Sequence, residues 1–153
     1  MKLPNLYAAQ TARSWAYALS LVILTALWGS QTIAAALTVA VEGVHPGPGS
    51  IRVALYANAD SFRREDRALR VLTVPANSSA VSVTFSDIPA GRYAVLAYHD
   101  ANDNKKLDLV MGMFPDEGWG LSNDPSVIGP PRFEPSAFDI GEPTATTLVR
   151  LHY

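Results

Sequence analysis

Apolar positions follow two regimes along the chain. Residues 15–28 (WAYALSLVILTALW) form one hydrophobic run broken only by Ser20 and Thr25. From Leu37 the run gives way to alternation, with Leu37, Val39 and Val41 in one phase and Thr38, Ala40 and Glu42 in the other. A period of two predicts a half-buried strand, because successive side chains leave a pleated strand on opposite faces. Comparable short segments occur at residues 51–56, 71–74, 81–85, 93–99, 137–140 and 146–153. Turn-forming residues separate them, as in His45-Pro-Gly-Pro-Gly-Ser50 and Asp87-Ile-Pro-Ala-Gly-Arg92. About seven short strands with turns between them predict an all-β fold, an antiparallel sandwich of the immunoglobulin-like strand count. Residues 60–69, rich in arginine and acid, are expected to form a short helix or irregular crossover with a solvated basic face.

The first 36 residues read as a leader. Lys2 and Arg13 are their only charged side chains, and both precede the apolar run. Ala34 and Ala36 place small residues at positions −3 and −1 of a cut after Ala36. A basic start, a short apolar segment and a small-residue exit describe a secretory signal peptide. Its 14-residue apolar run falls short of the roughly 20 residues that span a bilayer. The expected division is therefore a signal peptide over 1–36, in helical form, and one sandwich domain over 37–153. The expected location is the periplasm or the cell exterior, with no stable membrane insertion once the leader is removed.

Composition narrows the chemistry. The net charge of −2 excludes an electrostatic nucleic-acid binder, which needs a basic surface. The absence of cysteine excludes disulfides, zinc-thiolate sites, thiol nucleophiles and a lipoprotein anchor. There is no Gly-x-Ser-x-Gly elbow, no phosphate-cradling glycine loop and no helical histidine pair among His45, His99 and His152.

Between His99 and Ala137 the strand pattern lapses for 37 residues, a length that in a compact domain marks a functional or disordered segment. Phe114, Trp119 and Phe133 argue for an ordered loop, with Phe133 and Phe138 pinning the returning chain to the body. At its start, Asp100, Asn102, Asn104 and Asp108 set oxygen side chains at positions one, three, five and nine, with Leu107 at eight. Calcium loops use this spacing, because a curling chain gathers six to eight oxygens around a hard cation. Such loops also use glycine at position six and glutamate at twelve, where this chain has Lys105 and Met111. Asp116 or Glu117 is placed to supply the missing carboxylate. The competing reading is a structural turn in which Asp and Asn side chains satisfy backbone donors. Trp119 stands between Gly118 and Gly120; it either stacks on a sugar or peptide ligand or folds back to cap the core. His99, beside Asp100, is positioned to orient a ligand or a water.

Three stretches carry a family resemblance: PAGRYAVLAYHDANDNKKLD (89–108), FPDEGWGLSND (114–124) and GPPRFEPSAFDI (129–140). Together they resemble DUF2141, an exported bacterial family of unknown function. The resemblance implies a small transthyretin-like sandwich behind a signal peptide, and it implies no activity. In that family glycine usually follows the third Asx of the loop, the position of Lys105 here.

The function expected first is a non-catalytic binding module with a calcium loop of Asp100, Asn102, Asn104, Asp108 and Glu117. Trp119 and His99 are its ligand-contacting residues, and its partner is an unidentified envelope or extracellular one. An envelope protein or glycan interaction module is the alternative. A hydrolase using carboxylates such as Asp108, Asp116 and Glu117 is the third reading.

Overall fold

The computed structural model describes residues 34–153. The signal-peptide helix read over 1–36 lies outside the described residues, save for its last three. Ten strands build the domain. A three-stranded sheet has the order β10-β1-β4, from β1 (Ala35–Glu42), β4 (Ala80–Ile88) and β10 (Thr144–Arg150). A larger sheet has the order β3-β2-β5-β8, from β2 (Ser50–Tyr56), β3 (Arg70–Pro75), β5 (Gly91–Asp100) and β8 (Trp119–Leu121). β9 (Ala137–Ile140) shares an edge of β5 with β8, pairing Gly91–Ala94 while β8 pairs Leu96–Tyr98. A small hairpin of β6 (Leu109–Val110) and β7 (Phe114–Pro115) stands apart. All strand pairs are antiparallel except β1 with β10.

The alternation read in the sequence is the alternation observed. Leu37, Val39 and Val41 are fully buried in β1, and they meet Val83 and Phe85 of β4, Ile51, Val53 and Leu55 of β2, and Val95 and Ala97 of β5. This is the core between the sheets. In β4 a register shift interrupts the alternation: Asp87 takes φ 56°, and Ile88 turns inward three residues after Phe85.

β5 is buried over eight consecutive residues, Tyr93 to Asp100. Its second phase, Ala94, Leu96 and Tyr98, joins Ala54 and Tyr56 of β2 in a second apolar cluster on the outer face of the larger sheet. Loops cover that face. Phe62 and Phe133 meet edge to face at 5.9 Å, and Phe62 meets Tyr56 at 5.3 Å. Phe133 opens α1 (Phe133–Ser136), a single helical turn, and so pins the returning chain as expected.

The crossover at residues 60–69 holds only a 3-10 turn, Glu65–Arg67. Arg63, Arg64 and Arg67 are exposed, as a solvated face requires, whereas Glu65 turns inward. It pairs with Arg52 and accepts the Tyr98 hydroxyl at 2.8 Å, and Arg52 Nε donates to Tyr98 Oη at 3.0 Å. The Glu65 hydrogen bond raises the guanidinium pKa of Arg52 against the opposing effect of burial. Burial first, then the Glu65 hydrogen bond, pushes the Tyr98 phenol well above its ordinary value.

Candidate functional site

Alternation along β5 sends Asp100 to the outer phase with Leu96 and Tyr98, and there the chain leaves the sheet and curls. Asp100 is wholly buried, yet both its oxygens have donors: Asn104 N–H reaches Oδ1 at 2.9 Å and Lys105 N–H reaches Oδ2 at 2.8 Å. Asn102 Oδ1 accepts from Asn104 N–H at 3.0 Å, and Asn104 Oδ1 from Lys106 N–H at 2.8 Å. The amide ends of Asn102 and Asn104 both meet the Asp108 carboxylate, at 2.8 Å for Asn102 and at 3.0 and 2.9 Å for Asn104.

Glu117 closes the loop. It is buried, and its Oε1 accepts from Ala101 N–H at 2.9 Å while Oε2 accepts from Asp108 N–H at 3.0 Å. One carboxylate thus joins the two ends of the curl. Asp116 is exposed and Met111 is 83% exposed, so neither takes Glu117's place. The four oxygen-bearing residues picked out by their spacing, and Glu117 offered for the missing carboxylate, come together in one knot. Among the described residues no group of three or more His, Asp or Glu side chains is arranged to hold a metal. Oxygens for a cation would come from carboxylates and amides together.

Position six of the curl is the informative one. Lys105 takes φ 64°, inside the left-handed region that glycine enters without a Cβ penalty. Asp103 does the same at φ 55° and is tied to β2 by the Ser50 hydroxyl at 2.7 Å.

His99, on the inner phase of β5, is buried and occupied. The Pro48 carbonyl can only accept, so His99 Nε2–H donates to it at 3.0 Å. With that hydrogen on Nε2, Nδ1 is left to accept the Tyr153 hydroxyl at 2.9 Å, and Tyr153 Oη accepts His45 N–H at 3.0 Å. The ring of His45 stacks on that of Tyr153 with centroids 3.7 Å apart. His99 is placed to anchor the C-terminal tail and to hold the loop before β2.

Trp119 lies beside this anchor, one residue past Gly118, whose carbonyl accepts His99 N–H at 2.7 Å. It is half-buried against the outer-face cluster, and it lines an open cleft of about 330 Å³ with Asp124, Pro125, Val127 and His152. His152 Nε2 and Asp124 Oδ1 lie 2.8 Å apart at its edge. Trp119 also pairs with the tail, exchanging N–H and carbonyl with His152 at 2.9 Å each way. The flanking glycines make this possible: a Cβ at Gly120 would occupy the Arg150 carbonyl, and one at Gly118 the ring of Tyr153. The Arg52–Glu65–Tyr98 network and the His152–Asp124 pair escaped sequence reading, because their members lie far apart in the chain and carry no shared spacing.

No curated protein and no solved structure matches the chain. One family model does, described as an uncharacterized protein conserved in bacteria, over residues 39–148. That span runs from within β1 into β10 and takes in the whole Asp100–Glu117 knot and Trp119. The chain therefore belongs to the bacterial family DUF2141.

Proposed function

We propose that the domain is a non-catalytic binding module whose Asp100–Asp108 loop, closed by Glu117, takes a calcium ion. The observation that carries this reading is the left-handed backbone of Lys105. Calcium loops need a sharp turn at position six, and glycine usually supplies it. Lys105 adopts that turn regardless, which delivers the two backbone N–H groups to Asp100 and leaves Asn102, Asn104 and Asp108 converging. The amides now face Asp108 through nitrogen. Rotation about χ2 turns both amide oxygens toward Asp108 and gives up the bonds that Asn102 Oδ1 and Asn104 Oδ1 accept from the Asn104 and Lys106 N–H groups, a cost that coordination of the ion has to offset. Magnesium suits the site less, because it demands strict octahedral geometry.

The Trp119 cleft supports a ligand on the same domain. A half-buried indole beside a polar His152–Asp124 pair suits a sugar or peptide, which offers both an apolar face and hydrogen-bonding groups. The binding reading is favoured over hydrolysis because both His99 nitrogens already hold structural partners. Export to the periplasm or exterior follows the leader pattern of residues 1–36.

The test is a calcium titration of the full chain after chelation, with magnesium as control, reading melting temperature and proteolysis of the 100–118 segment. A native-state ligand at a hundredfold excess over its Kd stabilises by about 2.7 kcal/mol, a rise of roughly 10 °C for a domain of this size. Asp108→Asn should abolish that rise and leave the metal-free melting temperature within a few degrees. An unchanged melting temperature and cleavage pattern in calcium would make the knot a structural turn only.

A further inference from the structure

Beyond the knot, the chain rises into the β6–β7 hairpin. Leu109, Val110, Met111, Met113 and Phe114 are 47%, 47%, 83%, 68% and 65% exposed. From Leu109 to Pro115 there is no charged side chain and none that can donate a hydrogen bond. The tip is built rather than loose: Leu109 pairs with Pro115 and Val110 with Phe114, and Met113 N–H closes the turn on the Val110 carbonyl at 3.1 Å. Met111 and Gly112 take φ 54° and 70°, the pair of left-handed residues of a type I′ turn. Asn, Asp or Gly normally fills the first of these positions, so a methionine there is both strained and wet.

We infer that this hairpin tip docks peripherally into the interfacial layer of a lipid bilayer. Size argues against a second copy of the chain as occupant: a stable interface takes roughly 20–30 residues a side, and the tip has seven. Chemistry argues against a protein groove, where a few polar groups normally fix orientation, and the tip's side chains offer none. A fluid apolar layer needs no such register. Insertion is shallow, since among the described residues no helix is long and apolar enough to cross a membrane and the hairpin strands are two residues each. At the hairpin base exposed Lys105 and Lys106 stand among exposed Asp103 and Asp116 and half-buried Asp108, so no basic patch draws the tip to lipid and the attraction is apolar. The inference does not depend on calcium at the knot.

The chain contains no cysteine, so one introduced cysteine gives one labelling site. A polarity-sensitive fluorophore is placed at Met113→Cys of the full chain. A second protein carries it at Ala90→Cys, in the β4–β5 turn, separated from the knot by the ten-residue length of β5, roughly 30 Å. Vesicles of phosphatidylcholine, with and without phosphatidylglycerol, should blue-shift the probe at position 113 and brighten it several-fold, leaving that at 90 unchanged. Adding Met111→Asn and Phe114→Thr to the labelled chain should weaken the response about tenfold while the turn, with Asn in its preferred place, still folds. Three results would overturn the inference. One is a chain that sediments with vesicles while the probe at 113 stays in water, which assigns binding to residues 15–28. Another is a shift that needs only higher protein concentration, which makes the tip a self-association surface. The third is no response to either vesicle.

Discussion

Lys105 holds a conformation that costs a side-chain-bearing residue about 1–2 kcal/mol. Glycine would remove that strain and return about 0.5–1 kcal/mol of it through a more flexible unfolded chain. Lys105→Gly should therefore stabilise the domain by roughly 0.5–1 kcal/mol, read as a higher urea midpoint at unchanged slope. A lower midpoint would mean that the lysine side chain holds the curl. The spacing of Asp100, Asn102, Asn104 and Asp108 was legible because a curl imposes a residue-by-residue pattern on the chain. The left-handed lysine was not legible, since lysine carries no preference for that region and only the closure by Glu117 and Asp100 enforces it.

Short strands depend on single fastenings, and β8 shows this most clearly. Ser122, just past its end, is fully buried and bonded in three directions. Its N–H donates to the Val95 carbonyl at 3.0 Å, its hydroxyl accepts Val95 N–H at 2.9 Å, and the hydroxyl donates to the Ser136 carbonyl at 2.5 Å. One side chain thus ties β5 to the end of α1. Ser122→Ala would strand a buried N–H and a buried carbonyl, so chemical denaturation should report a loss of about 1–3 kcal/mol. A loss under 0.5 kcal/mol would mean that the polar atoms find other partners. The long strands β1, β2, β4 and β5 were predicted from alternation or apolar runs. β6, β7 and β8, at two or three residues each, are too short for a period to register, and the segment between His99 and Ala137 reads as a plain loop.

The larger sheet is buried on both faces, and three tyrosines are buried with it. Burial pushes the phenols of Tyr56 and Tyr98 well above the ordinary value near 10 and raises that of Tyr93. Glu65 and Asp66 push Tyr56 further in the same direction. A raised folded pKa makes the protonated form part of the native state, so its stabilisation is complete below pH 10 and is lost as pH rises above it. The melting temperature should hold up to about pH 10 and fall beyond, with phenolate absorbance appearing together with unfolding. Tyr56→Phe should make the alkaline fall shallower. An equal fall in that variant would shift the cause to the Tyr98–Glu65–Arg52 network.

Binary pattern and turn chemistry, both local properties, determined the all-β class, the phase of the main strands, the core residues and the oxygen-bearing loop. Family membership was legible in the same way, through contiguous motifs. Which strands lie side by side was decided in three dimensions, above all the parallel pairing of β1 with β10 and the sharing of one β5 edge by β8 and β9. The roles of Glu65, Tyr153 and Gly120 were decided there too. Each depends on a partner at least 13 residues away, Arg52 for Glu65, His99 for Tyr153 and Arg150 for Gly120. Local alternation says which way a side chain points. Only the packed sheets and their covering loops say what it meets there.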